Sequence, residues 1–544
     1  MTGIMHNPDP STPISIARSA GIVGLATSAS RVLGCLRDIL IAALLGSGLV
    51  ADAFIVAFRV PNLIRRLFGE GILAAVVVPV FARCLALKGP QKAAELGHTL
   101  LKTGGLVMAG VVAAALICTP GLIIMLAPGF KAAAPKFELT LKLARIMLPY
   151  MFFIGMGAIA MGILNSYGHF TAPALAPLVL NVVMISALVA TALISTSATS
   201  RAAGLAWGVL VGGGLQFLLQ IPALTRCGIG PYPGLLRRAP FYPDELKQIV
   251  KRLARTLAGA GCYQFNLLVS TLLASFLPEG SITALYFADR LVQLPLGIFV
   301  VALSTACLPA FARHAAGRET ARLAADTARA LQMTLFLTLP AMVGLAILRE
   351  PVVRLIFHHG AFDLEAARLT ADALLYYVLG LSTLAVVRMG ITTFFALQEM
   401  RVPLQGAGIS VAANCTLGIL LAYTMGYRGL ALAASLATLA NCLWLLKGLG
   451  RRLPGVFTAR FFRSVAKTGA AAGCMGLGVL PLRYWFFQNL DLSTLELAGG
   501  TLLCILWGVG CYGLLAMLLK CPELVQIRSL AGMDIPSKDN SRQE

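Results

Sequence analysis

The sequence predicts an all-α polytopic membrane protein, and three observations support this prediction. Of the 544 residues, 58% are hydrophobic and 12% are charged, whereas about 25% of the residues in an ordinary soluble domain are charged. Apolar runs of about 20 residues, the length that crosses a bilayer as a helix, recur from Ile14 almost to Lys520. Short polar connections separate these runs, so we predict about 14 transmembrane helices.

The predicted helices follow one another along the whole chain. Residues 1–13 form a polar N-terminal segment, and no signal-peptide cleavage pattern follows it, so the first helix is expected to stay in the membrane. The apolar runs centre near residues 25, 60, 112, 153, 183, 212, 265, 300, 337, 382, 412, 435, 472 and 508.

Two short patterns indicate an internal duplication. The residues PVFAR at 79–83 recur as PAFAR at 309–313, which is 230 positions later. Pro173 and Pro403 have the same spacing, and each follows a short polar turn between two apolar runs. A repeated spacing of this kind predicts two structurally similar halves.

The duplication predicts the domain organisation. We expect an N-lobe of six helices at 14–226, a basic cytoplasmic interfacial linker at 227–248, and a C-lobe of six helices at 249–450. An even number of spans gives both lobes the same orientation, so their pseudo-two-fold axis should run along the membrane normal, with the substrate held between them. Two extra helices at 451–520 and a polar cytoplasmic tail at 521–544 complete the chain.

The net charge of +21 comes from 44 Lys and Arg against 23 Asp and Glu. Connections after even-numbered helices carry about twice as many Lys and Arg as the others, if the N-terminus is cytoplasmic. This distribution predicts that both termini are cytoplasmic, and it explains the basicity without a nucleic-acid partner. A basic cytoplasmic face also favours contact with anionic lipids.

The sequence lacks the common motifs of nucleotide-binding, hydrolytic and metal-dependent sites. It has no phosphate-binding G-x-x-x-x-G-K-[ST], no G-x-S-x-G and no H-E-x-x-H pattern, so ATP-driven transport within this chain is not expected. The 12 cysteines include no C-x-x-C pair, which argues against a disulfide framework and a zinc site. We therefore expect no catalytic residues, no metal site and no cofactor.

Buried charge is the most informative feature of the apolar runs. We count seven arginines and no lysine inside them: Arg31, Arg37, Arg59, Arg65, Arg66, Arg290 and Arg388. A lipid-facing arginine at the bilayer centre costs about 3 kcal/mol on the insertion scale. We therefore expect these side chains to face a wet cavity, a partner or an interface.

The second apolar run contains three of these arginines near its end. Arg66 and Glu70 have the i, i+4 spacing of an intrahelical ion pair, and Arg59 lies on the same face as Arg66. Arg65 points about 100° away from that face and has Asn62, rather than an acid, at pairing distance. The sequence therefore predicts that Arg66 is structural and that Arg65 is available to a ligand.

The first apolar run and the start of the second hold two arginines and two aspartates. Arg31 and Asp38 lie seven residues apart on one face, about 10 Å from each other. Arg37 has no acid three or four residues away, so no local carboxylate is expected beside it. Asp52 should lie at the start of the second helix, where the macrodipole alone could stabilise its charge.

Arginine in these positions predicts an anionic ligand. Arg290 follows Asp289 directly, which places the two on different sides of a helix, and Gln293 lies one turn further on. Arg37, Arg65 and Arg290 thus have no acid at helical spacing. A guanidinium stays charged and offers a planar fork that matches phosphate oxygens, so a cavity with several of them suits a phosphate-bearing anion.

Two long stretches of the sequence resemble those of a known family. The run SRVLGCLRDILIAALLGSGLVADAFIVAFRVPNLIRRLFGEG at 30–71 and the run EGSITALYFADRLVQLPLGIFVVALSTACLP at 279–309 resemble the MurJ (MviN) lipid II flippases of bacterial peptidoglycan synthesis. These flippases belong to the multidrug/oligosaccharidyl-lipid/polysaccharide exporter superfamily. The likeness extends over nearly the whole hydrophobic chain.

The resemblance implies a fold and a set of site residues. The fold would be two six-helix lobes around a central cationic cavity, with two extra helices that form a groove for a polyprenyl tail. The cavity arginines would be Arg31 and Arg37 in S-R-V-L-G-x-x-R-D, Arg65 in P-N-L-x-R-R and Arg290 in A-D-R-L. Supporting polar or charged cavity residues are expected to be Asp38, Asp52, Asn62, Arg59, Arg66 and Glu70.

Some members of the family hold sodium through acidic side chains in the second lobe. The positions that we align with these acids are Ser270 and Gly418, which lies four residues after Asn414. Neither residue is acidic, so a sodium-coupled cycle is not expected here.

The function that the resemblance implies is transport of lipid II from the cytoplasmic to the outer leaflet of the bacterial inner membrane by alternating access. The cavity arginines would hold the pyrophosphate of this undecaprenyl-linked disaccharide-peptide. The expected partners are lipid II, membrane lipids and proteins of cell-wall synthesis, and the expected state is a monomer. No nucleic acid is expected to bind.

Two alternatives stay open at the level of sequence. A drug, cation or other polyprenyl-linked oligosaccharide exporter of the same superfamily would have the same fold, but a cation exporter should carry acids in its cavity. A membrane-embedded enzyme acting on polyprenyl phosphates would need clustered Asp, Glu or His for metal or acid–base chemistry. The sequence has no such cluster on its connections.

Overall fold

A computed structural model describes residues 13–65, 72–230, 243–488 and 492–524. Every regular element in these ranges is helical, which confirms the predicted all-α class. Helices are expected because a membrane-spanning segment must satisfy each backbone N–H and C=O within itself.

The described ranges contain twenty α-helices. They are α1 Pro13–Leu45, α2 Leu49–Ile64, α3 Ile72–Ile117, α4 Thr119–Leu126, α5 Ala134–Met147, α6 Tyr150–Ser166, α7 Thr171–Ile194, α8 Ala198–Leu218, α9 Ile221–Arg226, α10 Pro243–Ala274, α11 Ser281–Pro295, α12 Val301–Ala316, α13 Thr320–Ile347, α14 Arg349–Phe357, α15 Leu364–Val378, α16 Leu381–Ala396, α17 Arg401–Met425, α18 Tyr427–Arg452, α19 Ala459–Phe486 and α20 Thr494–Leu518.

The predicted apolar runs correspond to these helices, because every predicted centre lies inside a helical segment. Within the described ranges, ten helices are long and apolar enough to cross a membrane, and the bent pair α15 and α16 raises this number to eleven. The prediction of about 14 spans stays a prediction.

Glycine and proline interrupt several of the long helices. Gly89 has φ 82° inside α3, which breaks the helix because a residue with a side chain rarely adopts this conformation. Pro295 ends α11, and a π-helical turn at Leu296–Val300 continues the chain into α12. Between α15 and α16 the chain bends by 48°. These breaks explain why there are more helices than apolar runs.

The chain divides into two compact units. The described residues up to Thr283 and the short segment His359–Asp363 form the first unit. The second unit contains Ala284–His358 and the described residues from Leu364 onward. Helix α10, which the sequence analysis assigns to the C-lobe, packs against α3 and α4 of the first unit. The predicted lobe boundaries stay a prediction.

The core of the first unit includes a cluster in which α3, α6 and α10 meet. Phe81, from the first copy of the repeated pattern, is 0% exposed there and its ring contacts that of Tyr167 at a centroid distance of 5.7 Å. Ile249 of α10 is buried in the same cluster. Lipid tails are as apolar as these side chains, so the hydrophobic effect does not drive helices together inside a membrane. Close packing of side chains holds them together instead.

The described residues of the second unit include two buried clusters. Phe311, from the second copy of the repeated pattern, is 1% exposed in a cluster with α13, α16 and α18. The other cluster joins α13 to α19 and α20, where the Tyr512 hydroxyl donates to the Phe336 carbonyl oxygen over 2.7 Å. The two copies of the repeated pattern thus supply a fully buried phenylalanine to the core of their own unit.

Candidate functional site

Arg37 of α1 is the centre of a hydrogen-bonded group in the first unit. Its Nε and Nη2 atoms donate to Asp38 Oδ1 over 3.0 and 2.7 Å. Its Nη1 atom donates to Asn181 Oδ1 of α7 over 2.9 Å. The prediction that Arg37 has no local carboxylate is therefore wrong. Adjacent Cα–Cβ bonds diverge on a helix, but the long arginine stem bends back far enough to reach its neighbour.

Asn181 fixes the orientation of the Arg37 guanidinium. Its Nδ2 atom donates to the Ser30 carbonyl oxygen over 3.0 Å, so the amide oxygen is left to accept from Arg37. Asn181 is buried on α7 and lies 144 residues from Arg37 in the sequence. Asn181 is not among the predicted site residues, although a single amide inside the apolar run LVLNVVM is a signal that could have identified it.

Arg65 follows the last turn of α2 and makes the contact that its spacing predicts. Its Nε atom donates to Asn62 Oδ1 over 2.8 Å, and Asn62 itself is buried. Because the amide is neutral, this bond orients the guanidinium without neutralising it. The predicted pair of Arg66 and Glu70 lies outside the described residues.

Tyr150 is the first residue of α6. The positive charges of both Arg37 and Arg65 act on its hydroxyl group. The side chain is 0% exposed, and its hydroxyl oxygen has no hydrogen-bond partner. The ring packs closely on α8, where a Cβ atom added to Gly213 would lie 2.2 Å from it. A buried hydroxyl donor without a partner, on which two positive charges act, is suited to an anionic oxygen.

Two further arginines of the first unit lie near this group in sequence. Arg31 is exposed on α1, six residues before Arg37 and therefore about 9 Å away along the helix. Arg59 of α2 is half-buried, and its Nη1 atom donates to the Leu267 carbonyl oxygen of α10 over 3.3 Å. The contact of Arg59 with α10 gives it a role in joining helices.

Asp52 lies in the first turn of α2, as predicted, but more than the macrodipole stabilises its charge. It is 1% exposed, and Oδ2 accepts from Lys136 Nζ over 2.8 Å and from Gly280 N over 2.9 Å. Oδ1 accepts from Thr283 N over 2.9 Å and from Thr283 Oγ1 over 2.6 Å. This buried carboxylate thus joins α2, α5 and the first turn of α11.

Lys136 is a buried lysine that lies outside the predicted apolar runs, so the count of no lysine inside those runs is unaffected. Its ammonium pairs with Asp52 and lies 4.5 Å from the centroid of the Phe130 ring. The first turn of α5, which contains Lys136, packs in the interior beside α2. A buried ammonium is tolerated here because the paired carboxylate compensates its charge.

Arg290 of the second unit is oriented by an aromatic residue one turn earlier. Its Nη2 atom donates to the Tyr286 hydroxyl over 3.1 Å, and the guanidinium carbon lies 4.7 Å from the centroid of that ring. Asp289 turns away and accepts from Gln293 Nε2 over 3.4 Å. This agrees with the prediction that Asp289 and Arg290 point to different sides. Arg388 is half-buried on α16.

The two positions aligned with sodium ligands lie on different helices. Ser270 is half-buried on α10 in the first unit. Gly418 is buried on α17 in the second unit, one turn after the buried Asn414. Neither position supplies a carboxylate.

Comparison with known sequences identifies the family. The sequence model of the family described as "Lipid II flippase MurJ" matches residues 41–495. A "Probable lipid II flippase MurJ" of Rhizobium tropici is 34% identical over 518 residues, which are 95% of this chain and 96% of the relative. A "Lipid II flippase MurJ" of Burkholderia cenocepacia is 30% identical over 469 residues, with 86% and 89% of the two chains covered.

Solved structures agree with this relationship. A "Lipid II flippase MurJ, inward closed conformation" superposes with a TM-score of 0.76 at 25% identity and covers 94% of this chain and 99% of that one. A MATE-family multidrug transporter in an inward-facing conformation reaches a TM-score of 0.63 at 16% identity, which shows a shared fold alone. Because the family match and the relatives extend over most of the sequence, this chain belongs to the MurJ family of lipid II flippases.

Proposed function

We propose that this protein is a lipid II flippase that moves the lipid-linked peptidoglycan precursor from the cytoplasmic to the outer leaflet of the bacterial inner membrane. The observation that carries the proposal is the buried Tyr150 hydroxyl, which has no hydrogen-bond partner and on which the positive charges of Arg37 and Arg65 both act. The family is one of transporters rather than enzymes. The polar head of this substrate cannot cross the hydrocarbon core unaided, and alternating access would carry it across.

The arginines are proposed to bind the pyrophosphate of the substrate. Guanidinium forks donate to two phosphate oxygens at once, and such charge-assisted bonds are about twice as strong as neutral ones. Arg31, Arg37 and Arg65 carry three positive charges, and Asp38 offsets one of them. Several guanidinium forks suit a diphosphate better than they suit a cation. Arg290 is proposed to add a fourth guanidinium to the substrate site.

The polar neighbours of the arginines are proposed to fix their direction. Asp38 and Asn181 hold Arg37 through three nitrogens, and Asn62 holds Arg65 through one. A guanidinium that is oriented before the ligand arrives loses less side-chain entropy on binding, which raises affinity. These residues are thus positioning residues of the proposed site.

The other supporting residues have different proposed roles. Asp52 anchors helices through its four bonds, and Arg59 joins α2 to α10 through the Leu267 carbonyl. Both therefore act on the shape of the site rather than on the substrate. Arg66 and Glu70 are proposed to form an intrahelical pair, on the basis of their spacing alone.

The membrane potential is a proposed source of energy for the cycle. Moving one negative charge outward across an inside-negative membrane releases about 2.3 kcal/mol per 100 mV. Bound guanidiniums offset this charge, so the potential would act more strongly on the return of the empty cationic site. Both termini are proposed to be cytoplasmic, and the working unit is proposed to be a monomer.

Depletion of the protein in its host tests the function. We expect lipid II to accumulate in the cytoplasmic leaflet, as measured by its accessibility to a probe that cannot cross the membrane. Expression of the wild-type chain should restore delivery, whereas R37A and R65A should not. R428A is a matched control, because Arg428 pairs with Asp372 over 2.5 Å outside the proposed site. Unchanged delivery after depletion in a host without a second flippase would refute the proposal.

A further inference from the structure

A second cationic site lies in the second unit, where α19 ends and α14 begins. Arg483 lies in the last turn of α19, and its Nη2 atom is 3.6 Å from Glu350 Oε2. Arg349 begins α14 and donates from Nη1 to the Ala346 carbonyl oxygen over 3.1 Å. Its positive charge acts unfavourably on that of Arg483. Arg349 directly precedes Glu350 in the sequence, so two guanidiniums accompany one carboxylate and this group has a net positive charge.

The Arg483–Glu350 contact is loose enough to admit a ligand. A distance of 3.6 Å is longer than a hydrogen bond, and the two side chains are 26% and 35% exposed. A partly exposed pair without a hydrogen bond contributes little to stability. The group is therefore more useful as a binding surface than as a structural bridge.

The neighbouring residues on α19 are those of a membrane interface. Tyr484 and Trp485 are 75% and 71% exposed, and such aromatic residues concentrate at the level of the lipid headgroups. Leu477 and Leu480 are exposed on the same face as Tyr484, because spacings of three and four residues repeat around a helix. An apolar strip therefore leads along α19 to the cationic group.

The charges of α19 indicate which leaflet the group faces. The opposite end of the helix carries Arg460, Arg463 and Lys467, and basic residues mark the cytoplasmic end of a span. The end with Arg483 therefore faces the outer leaflet. A ligand at this point must combine a negative headgroup with an apolar chain.

We propose that Arg349 and Arg483 bind the phosphate of an anionic phospholipid in the outer leaflet, with an acyl chain along Leu477 and Leu480. A phosphodiester accepts from both guanidiniums and compensates their repulsion, which the single carboxylate of Glu350 does only in part. This group shares no residue with the proposed substrate site, and the inference rests on the orientation of α19 rather than on the transported substrate.

Lipid retention by the purified full-length protein tests the proposal. Native mass spectrometry in detergent would count bound phosphatidylglycerol and phosphatidylethanolamine after addition of equal amounts. We expect retention of phosphatidylglycerol above that of the zwitterionic lipid. Each of R349Q and R483Q should lower phosphatidylglycerol retention about fivefold, and the double variant about thirtyfold. R428Q, which changes an exposed arginine paired with Asp372, should leave retention unchanged.

A change at Glu350 keeps the test decisive if an arginine variant fails to fold. E350Q removes the competing carboxylate and should raise phosphatidylglycerol retention. Equal retention by the wild type and a folded double variant would overturn the proposal, as would equal binding of the two phospholipids. Full displacement by inorganic phosphate would assign the group to a free anion instead. Displacement by lipid II in equal amount would assign it to the transported lipid, which also overturns the proposal.

Discussion

Lys136 Nζ lies 2.8 Å from Asp52 Oδ2 in the interior of the first unit, with side-chain exposures of 6% and 1%. The pair also connects to the first turn of α11 through Gly280 and Thr283. A buried ion pair of this kind gains its stability from complete bonding, because each charge has lost its water. The two residues thus form a joint between three parts of the chain that are distant in sequence.

Removal of one partner from this joint should destabilise the protein strongly. K136M leaves the Asp52 carboxylate buried without its cation, and we expect a loss of about 3–5 kcal/mol in the free energy of unfolding. The double variant D52L/K136M, which removes both charges, should recover part of that loss. Thermal unfolding in detergent would measure the order of stability.

The control for this comparison is an exposed pair in the same unit. Lys92 Nζ lies 3.1 Å from Glu95 Oε2 with side-chain exposures of 53% and 28%. Because such pairs contribute about 0–1 kcal/mol, K92Q should change the unfolding temperature little. Equal effects of K136M and K92Q would contradict a structural role for the buried pair.

Asn181→Ala should weaken substrate binding with little change in fold. The substitution removes the amide oxygen that accepts from Arg37 Nη1 over 2.9 Å, so the guanidinium loses a fixed direction. Hydrogen bonds to charged groups contribute about 1.5–3 kcal/mol, and we expect lipid II affinity to fall about tenfold or more. Titration of the purified variant with lipid II, followed by native mass spectrometry, would measure this change.

A matched variant on the same helix separates orientation from packing. Thr191 of α7 donates within its own helix to the Ala187 carbonyl oxygen over 2.8 Å. T191V should therefore leave lipid II affinity unchanged. A similar loss of affinity in T191V and N181A would show that any polar change in α7 disturbs binding.

The helices were predictable from the sequence because the bilayer imposes a simple rule. A span needs about 20 apolar residues with internal backbone bonding, so apolar runs and helices coincide. The distinction between Asp289 and Arg290 was predictable for a similar reason, since helical periodicity separates adjacent side chains. Spacing also identified the contact between Arg65 and Asn62.

The contacts that the sequence did not predict depend on side-chain flexibility and on tertiary packing. Arg37 reaches Asp38 because its long side chain is not bound to the direction of its Cβ atom. Asn181 and Tyr150 come to the arginines from helices distant in sequence, and helical periodicity carries no information about such tertiary contacts. Lys136 is buried although it lies outside the apolar runs, because the first turn of α5 packs in the interior.

Glu319 should make the stability of the α12–α13 turn depend on pH. A hydrogen bond from His314 Nδ1 over 2.8 Å and then one from Arg322 lower the pKa of the Glu319 carboxyl. The other ring nitrogen of His314 lies 3.2 Å from Asp326. A carboxyl whose pKa is lower in the folded state than in the unfolded state stabilises the fold at pH values above the unfolded pKa. This stabilisation is lost as the pH falls through the pKa of the folded state.

We therefore expect E319Q to unfold at a lower temperature than the wild type at pH 7. The difference should shrink as the pH falls below about 4, where the wild-type carboxyl also becomes neutral. Thermal unfolding of the purified protein across this pH range would measure it. E138Q, which changes an exposed glutamate in α5, is the control and should show no comparable dependence. A constant difference between E319Q and the wild type at all pH values would contradict the prediction.

Tyr150→Phe should separate binding from stability, and a second tyrosine provides the opposite case. The Tyr150 hydroxyl is buried without a partner beside Arg37 and Arg65, so its removal costs the empty protein no hydrogen bond. The Tyr512 hydroxyl donates to the Phe336 carbonyl oxygen over 2.7 Å in the second unit. We expect Y150F to keep the wild-type unfolding temperature but to lose about threefold to tenfold in lipid II affinity. Y512F should lower the unfolding temperature and leave the affinity unchanged, because a buried carbonyl then lacks its donor. Paired measurements of unfolding and lipid II binding on both variants decide the matter: a Y150F protein that binds like the wild type would remove Tyr150 from the proposed site.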